Sequence, residues 1–271
     1  MSLKKNIAII GAGNIGVSLA KGLVASGKSV PARIYLVKRN LSPLAELKEQ
    51  GFLATGDVEL AVKNSHIIVL AVLPQQLKQV LLNIKDFVDP KKHLVISVVS
   101  GAAIADILNN LTSNVPVIRA KPNTAIAVNE SMTCIAFDPS TPKKDVELVK
   151  GLFDTVGQTI EIHEELMTSA TALCACGIAF FLRAIRAASQ GGIELGFHSQ
   201  ESLKMAAQTA KGAASLLIAS GGHPENEIDK VTSPKGCTIA GLNEMEYKGF
   251  SAALIKGIKL SAQKAGELYT K

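Results

Sequence analysis

The chain has 271 residues, of which 47% are apolar and only 4% aromatic, and its formal net charge is +6. This length and apolar content support one large or two modest globular domains and exclude a disordered protein. The longest basic runs are lysine pairs without interleaved aromatic residues. We therefore expect no nucleic-acid partner, because such a partner requires a clustered basic surface.

The four cysteines include no CxxC pair, which predicts reduced thiols and no metal site. The first apolar run of the chain is soon broken by glycine, so it does not predict a signal sequence. The longest apolar stretch, residues 170–182, is shorter than the roughly 18 residues that a membrane span requires. We expect a cytoplasmic protein with no membrane partner.

Secondary-structure signals divide the chain near residue 163. Short β-branched runs predict strands at residues 6–10, 33–37, 66–71, 93–98, 116–119, 132–137 and 159–162. Helical patterns separate these runs, and such alternation predicts a doubly wound, mostly parallel sheet with helices on both faces. After the last strand only helical spacing remains, at 164–189, 199–220 and 234–269. The predicted fold class is therefore α/β, with a Rossmann domain over residues 1–162 and an all-α domain over 163–271.

The first predicted strand leads into the motif GAGNIG, in which Gly11, Gly13 and Gly16 have the GxGxxG spacing. Gly11 allows a tight turn, Gly13 lets a pyrophosphate approach the backbone, and Gly16 lets the helix pack closely on the strand. The free N–H groups of the helix start, which includes Asn14 and Ile15, favour an anion. The motif in this context predicts a dinucleotide cofactor, although a structural glycine turn is the alternative.

The end of the second predicted strand indicates which dinucleotide binds. An NAD enzyme usually carries an acidic residue there, whereas this chain has Lys38, Arg39 and Asn40. Cations and amide donors suit a 2′-phosphate, so we predict NADPH, with NADH as the alternative cofactor. The alternative is that Lys38 and Arg39 are ordinary solvent-exposed surface residues.

Other candidate residues follow later strand ends, where ligands of such sheets bind. The segment AVLPQQ supplies four cofactor-site candidates, which are Ala71, Val72, Leu73 and Pro74. The segment RAKPNT supplies Lys121 to the same site and Asn123 to the nicotinamide or the substrate. Turn chemistry is the alternative for the Pro-Asn pair in that segment.

The predicted C-terminal helices are apolar on more than one face, and Ala170, Cys174 and Gly177 form a ridge of small residues. Helices without a polar face have to be buried against something. We predict a homodimer, or an assembly of dimers, that covers these faces. Packing on the first domain is the alternative.

The motifs GAGNIG, AVLPQ, RAKPNT and HPENEIDKVTSPKGCTIAGLNEME, with the helical C-terminal half, resemble the pyrroline-5-carboxylate reductase family. The resemblance covers nearly the whole chain, and the C-terminal signature is its most specific part. It implies a helical dimerisation and substrate-binding domain that completes the partner's site. It also implies NADPH-dependent or NADH-dependent reduction of a small cyclic imine, 1-pyrroline-5-carboxylate, to L-proline.

The C-terminal signature contains the predicted substrate site. Ser233 and the proline after it suit the N-cap and first residue of a helix, whose unpaired N–H groups would lie at Lys235, Gly236 and Cys237. Such a helix start is a site for the substrate carboxylate. Thr238 in the same turn would be the catalytic residue that hydrogen-bonds the imine nitrogen. Its alternative role is that of an ordinary threonine on a helix face.

This chain departs from the family pattern at several of these positions. Family members usually have lysine in place of Leu73, glycine in place of Lys235 and a small residue or threonine in place of Cys237. Methionine is common in place of Lys121, and residues 175–180 replace a Gly-Ser-Gly-Pro-Ala-Tyr-like run. We hypothesise that the cation at position 235 compensates for the one missing at position 73. The alternative is that the Lys235 side chain points into solvent and only its backbone N–H matters.

Two other functions are compatible with the same sequence features. One is another NADP-dependent imine or hydroxyacid reductase of the same two-domain plan. A hydroxyacid dehydrogenase would require a lysine general acid on the helix after the Rossmann domain, but the run from Glu164 has no lysine before Lys204. The other is a non-catalytic NADPH-binding regulatory protein.

Overall fold

A computed structural model describes residues 3–111 and 114–267 of the chain. These residues form two compact units. The first unit contains the described residues up to Ala175 together with those from Ala262 onward, and the second contains Cys176–Ser261.

The first unit is built on an eight-stranded sheet in the order β3-β2-β1-β4-β5-β6-β7-β8. Its strands are β1 Ile7–Ile10, β2 Ile34–Val37, β3 Leu53–Thr55, β4 Ile67–Leu70, β5 Leu94–Ser97, β6 Val117–Lys121, β7 Ser131–Phe137 and β8 Gly157–Glu161. All neighbouring strands pair in parallel except β6 and β7. The predicted fold class is confirmed, and every predicted strand is present to within one or two residues at each end.

Helices cover both faces of the sheet. They are α1 Asn14–Ala25, α2 Ala45–Glu49, α3 Val58–Lys63, α4 Pro74–Ile84, α5 Ile104–Leu111, α6 Lys143–Phe153 and α7 Met167–Ala170. In β1, Ile7 and Ile9 belong to one apolar cluster, while Ala8 and Ile10 belong to another. Because successive side chains of a strand point to opposite faces, both faces are buried, which explains the continuous apolar runs of the central strands.

The C-terminal part is helical, and no strand follows β8 within the described residues. A 3₁₀ turn, Glu164–Leu166, leads through α7 and a π-helical turn, Thr171–Cys176, into α8 Gly177–Glu194. The later helices are α9 Ser199–Ser220, α10 Pro224–Lys230, α11 Cys237–Tyr247 and α12 Phe250–Glu267. The predicted helix at 199–220 is confirmed, but the one predicted at 234–269 is two helices. Gly249, with a φ of +82°, separates them, and the predicted end lies outside the described residues.

Two features of α8 and the residues before it differ from the sequence interpretation. The helix continues through the paired glycines at 191–192, where Gly192 lies against Ser202 of α9 and the Ser202 hydroxyl donates to the Ser189 carbonyl at 2.7 Å. The continuous helical stretch Glu164–Glu194 is longer than the apolar run from which we argued against a membrane span. By length and composition alone it is apolar enough to cross a membrane, and 17% of its apolar window is buried.

Candidate functional site

A cleft of about 870 Å³ opens in the first unit where parallel strands end. Its walls are the segments that follow β1, β2, β4, β5 and β6, together with one face of α4. The strand order reverses direction between β1 and β4, and ligands of open α/β sheets bind at such a switch point. The cleft therefore lies where the sequence placed the cofactor.

The glycine loop forms the floor of this cleft. Gly11 has a φ of +96°, and a Cβ there would lie 2.5 Å from the Ala71 carbonyl oxygen, so no larger residue fits. Nothing lies within 4 Å of a Cβ at Gly13, which leaves the backbone open to a ligand. At Gly16 a Cβ would come within 2.8 Å of the Ile9 side chain, as the predicted close packing of helix on strand requires.

The start of α1 offers unpaired amides to an anion. Gly13 is the N-cap and makes no side-chain capping bond, and the first amide of the run to bond back into the helix is that of Val17, at 2.9 Å from the Gly13 carbonyl. The amides of Asn14, Ile15 and Gly16 precede that bond. Ile15 lines the cleft, Asn14 is exposed and Gly16 is buried. These donors and the positive end of the helix fit a pyrophosphate.

Basic and amide side chains follow β2 at the edge of the cleft. Lys38, Arg39 and Asn40 all line it, and the Asn40 side-chain oxygen accepts from the Ser42 backbone at 3.0 Å. Because the side-chain oxygen is engaged in that bond, the side-chain NH2 group of Asn40 is the part that can donate to a ligand. With Lys121, the two basic residues are the only charged side chains among the described residues that line the cleft. A lining with cations and no carboxylate favours a ligand rich in negative charge.

The segments after β4 and β6 meet the same cleft. Ala71, Val72, Leu73 and Pro74 all line it, as the sequence predicts, and Leu73 is 65% exposed. Lys121 also lines the cleft, and its ammonium group donates to the Ser100 hydroxyl.

Asn123 lines the cleft as well, but its side chain has structural partners. Its oxygen accepts from the Ala125 backbone at 3.0 Å, and its amide nitrogen donates to the Cys174 carbonyl at 3.2 Å. The turn chemistry that was the alternative for this residue is therefore present. The same contacts also fix the residue in the wall of the cleft, so the two roles are compatible.

The second group of predicted residues lies in the second unit, and its local structure corrects one expectation. Ser233 is not an N-cap; Gly236 caps α11, which starts at Cys237. Ser233 instead opens a tight turn, closed by the Gly236 amide donating to the Ser233 carbonyl at 2.9 Å. Lys235 has a φ of +59°. A proline second and a left-handed residue third are typical of a type II turn, which explains why the sequence reads as a helix start too early.

In this geometry the unpaired amide donors of the predicted carboxylate site lie in the first turn of α11 rather than in the turn before it. The Gly236 amide is engaged in the turn, so it is not available for a carboxylate. The first-turn amides of α11 begin at Cys237 and Thr238, the first two residues of the helix. Cys237 and Lys235 are exposed, while Thr238 is half-buried. A Cβ at position 236 would lie 2.9 Å from the Ser233 carbonyl oxygen, so the turn requires glycine there.

Sequence reasoning missed part of the cleft wall. Gln76, Gln79 and Asn83 of α4 line it, and their spacing of three and four residues places them on one helix face. That periodic amide pattern was visible in the sequence. Gly56 also lines the cleft, directly after the short strand β3 that was not predicted.

Comparison with known proteins identifies the family. The profile of the family described as "Pyrroline-5-carboxylate reductase dimerisation" matches residues 164–268, and that described as "NADP oxidoreductase coenzyme F420-dependent" matches residues 6–101. Pyrroline-5-carboxylate reductase 2 of Dictyostelium discoideum is 48% identical over 97% of this chain and 93% of its own length. The chain belongs to the pyrroline-5-carboxylate reductase family.

Further matches agree with this family assignment. Pyrroline-5-carboxylate reductase 1 of Dictyostelium discoideum is 51% identical over 97% of this chain, which spans only 50% of that relative's length. The structure of a pyrroline-5-carboxylate reductase from Coxiella burnetii has a TM-score of 0.92 at 28% identity and covers 98% of this chain and 99% of its own. A Plasmodium falciparum pyrroline carboxylate reductase with NADP bound has a TM-score of 0.88 at 23% identity, covering 99% and 100%, and it shares the fold.

Proposed function

We propose that the chain reduces 1-pyrroline-5-carboxylate to L-proline by hydride transfer to the C=N bond, with NADPH as the hydride donor. The observation that carries the proposal is the cleft over the open glycine loop, whose charged lining is cationic in the described part of the chain. Membership of the pyrroline-5-carboxylate reductase family supports the choice of substrate. We infer a cytoplasmic enzyme with no nucleic-acid or membrane partner.

The first domain, residues 1–162, is proposed to hold the dinucleotide. The amides at the start of α1 would bind the pyrophosphate, and Lys38, Arg39 and Asn40 would bind the 2′-phosphate. The residues after β4 and β6, from Ala71 to Pro74 and at Lys121, would line the remaining length of the cofactor. NADH, which lacks the 2′-phosphate, is the alternative donor.

The second domain, residues 163–271, is proposed to dimerise and to bind the substrate. The amides of Cys237 and Thr238 would hold the carboxylate at the positive end of α11. Ser233 and Gly236 would shape the turn that presents them, and Lys235 would add a cation at its tip. We propose that two chains assemble, alone or as a larger assembly of dimers, so that the helical domain of one completes the site of the other.

The chemistry asked of the side chains is limited. When bound, the reduced nicotinamide supplies the hydride for the imine carbon. The protein mainly holds the nicotinamide and the imine in the correct relative orientation, and this alignment accelerates the hydride transfer. The Thr238 hydroxyl is proposed to donate to the imine nitrogen and orient the C=N bond. Asn123, held by its bonds to Ala125 and Cys174, would keep the cleft wall in place beside the nicotinamide.

The decisive experiment follows NADPH absorbance in the presence of pyrroline-5-carboxylate and quantifies proline by chromatography. We expect NADPH loss and proline gain in equal amounts. Thr238→Val removes the hydroxyl at nearly constant volume and should lower kcat, whereas Thr238→Ser should retain most of it. NADPH binding without turnover would instead favour the regulatory protein. Turnover of a keto acid but not of the imine would favour the hydroxyacid reductase.

A further inference from the structure

Two cysteines of the first unit lie in contact beside the cleft wall. The sulfur atoms of Cys134 and Cys174 are 3.8 Å apart. Cys134 is buried within β7, and Cys174 is half-buried in the π-helical turn Thr171–Cys176. They pack with Ala136 and Met167 in a small cluster separate from the two main cores. Neither thiol has a role in the proposed reduction.

The π-helical turn links this pair to the cofactor cleft. The Cys174 carbonyl accepts the hydrogen bond from the Asn123 side chain, and the next residue, Ala175, lines the cleft. Cys134 is held on both sides, because β7 pairs with β6 at Lys121 and with β8 at Ile160. Any movement that joins the two sulfur atoms therefore falls mainly on the turn rather than on the strand.

The two thiols are suited to unequal chemical roles. With Cys134 as the hydrogen-bond donor, the contact between the sulfurs lowers the pKa of Cys174. The same bond, followed by burial, raises the pKa of Cys134. The nucleophile in thiol chemistry is the thiolate, and it must also be accessible. Cys174, half-buried and with the lower pKa, is the attacking group, and the buried Cys134 is the resolving thiol.

We propose that Cys134 and Cys174 form a dithiol that hydrogen peroxide oxidises to a disulfide, and that this disulfide weakens dinucleotide binding by displacing the cleft wall. In the first step the Cys174 thiolate attacks peroxide, the O–O bond breaks, and a sulfenic acid and hydroxide form. The Cys134 thiol then attacks that sulfur, the S–S bond forms, and the hydroxyl group leaves as water. The proton that the Cys174 thiol releases on ionising neutralises the hydroxide, so overall two thiols are oxidised and one peroxide is reduced to two waters.

Formation of the disulfide requires a displacement of the π-helical turn, which also changes the position of the cleft wall. A disulfide places its sulfur atoms about 2.05 Å apart, so the pair has to approach by nearly 2 Å from its present separation. Movement of the turn toward β7 would displace the Cys174 carbonyl, which accepts the hydrogen bond from Asn123, and with it Ala175 in the wall. A misplacement of about 1 Å near a reaction centre can cost roughly 100-fold in rate.

The test has one readout that is independent of catalysis. The full-length protein is treated with peroxide, its free thiols are alkylated under denaturing conditions, and its peptides are analysed by mass spectrometry. We expect a linked pair of peptides containing Cys134 and Cys174, with the loss of two hydrogens. NADPH affinity, measured by the fluorescence of the nucleotide, should fall about tenfold, equivalent to about 1.4 kcal/mol and on the scale of one or two lost contacts, and should recover on addition of dithiothreitol. Turnover should fall as well. Of the three measurements, only turnover depends on the proposed reductase function.

Variants separate this pair from the other thiols. Cys174→Ser should keep its NADPH affinity in peroxide, and Cys134→Ala should do so too. Cys176→Ser, in the same turn but outside the pair, is the matched control and should lose affinity like the unaltered protein. The proposal is overturned if Cys134 and Cys174 are both alkylated after peroxide treatment. It is also overturned if they are linked and NADPH affinity is unchanged, or if Cys174→Ser still responds while it binds NADPH normally.

Discussion

The carbonyl oxygen of Ala71 lies 2.5 Å from the point that a Cβ on Gly11 would occupy. The backbone after β4 thus packs tightly against the loop after β1. The φ of +96° at Gly11 is a second reason why only glycine suits this position. We predict that Gly11→Ala lowers the free energy of unfolding by at least about 2 kcal/mol, the sum of backbone strain and overpacking. Urea unfolding followed by circular dichroism measures this change.

Gly13→Ala is the matched control for that change. No atom lies within 4 Å of its added methyl group, so the loss of stability should stay below about 1 kcal/mol, the scale of replacing glycine by alanine at a helix N-cap. NADPH affinity should fall instead, because the methyl group occupies the space into which the pyrophosphate has to come. A Gly13→Ala protein that binds NADPH normally would mean that the phosphates do not approach the backbone here.

The double replacement Lys38→Ala/Arg39→Ala tests the choice of dinucleotide. We expect the KM for NADPH to rise about tenfold, equivalent to about 1.4 kcal/mol, because exposed cations give less than buried ones. The KM for NADH should scarcely change, since that cofactor lacks the 2′-phosphate. Lys21→Ala/Lys48→Ala removes the same charge from exposed positions that do not line the cleft and should affect neither value. Equal increases for both cofactors would contradict the assignment.

Lys235 occupies a position whose backbone conformation favours glycine, whereas its proposed role requires a cation. Its φ of +59° suits glycine, and a left-handed non-glycine residue costs about 1–2 kcal/mol. Lys235→Gly should therefore leave the protein as stable or up to about 1 kcal/mol more stable in urea unfolding. Substrate affinity should nevertheless fall about two- to fivefold, the scale of an exposed charge contact.

Adding Leu73→Lys to Lys235→Gly tests the compensation hypothesis. Leu73 is exposed and lines the cleft, so a lysine there has room to extend. Part of the lost substrate affinity should return in the double variant. Steady-state kinetics on both single variants and the double variant measures the coupling. Purely additive effects, or a Lys235→Gly enzyme with unchanged substrate affinity, would end the hypothesis and leave the reductase function standing.

Assembly can be tested at the exposed apolar surface of the second unit, where Leu216 of α9 is 60% exposed. Leu216→Glu should convert the assembly to smaller species in light scattering and lower activity. An unpaired charge buried at an interface costs about 3–5 kcal/mol, or at least 100-fold in the dissociation constant. Leu60→Glu makes the same change on an exposed leucine of the first unit and should leave the assembly intact. A fully active monomer would refute the shared site.

The fold was predictable wherever burial imposes a pattern. Central strands such as β4 are buried on both faces and therefore appear as continuous β-branched runs. By contrast, β3 has only three half-buried residues and leaves too short a pattern to detect. The helix break at Gly249 was missed because an isolated glycine within helical spacing is often tolerated.

The site was predictable where backbone chemistry dictates it and not where a side chain breaks the rule. The glycine spacing located the cleft floor, since only glycine satisfies the φ and the close approach at Gly11. Ser233 was misplaced as a helix cap because a lysine third in the turn conceals the left-handed conformation that a glycine would have indicated.

The return of the last helix has a consequence for how this architecture can be cut and recombined. The described residues from Ala262 onward belong to the first unit, where Ala265 is buried, so the second unit is an insertion with two peptide crossings. A chimera that exchanges the helical unit between two relatives therefore has to replace the internal segment Cys176–Ser261 at both of its junctions. With a single junction, the terminal residues of one relative would have to pack on the first unit of the other.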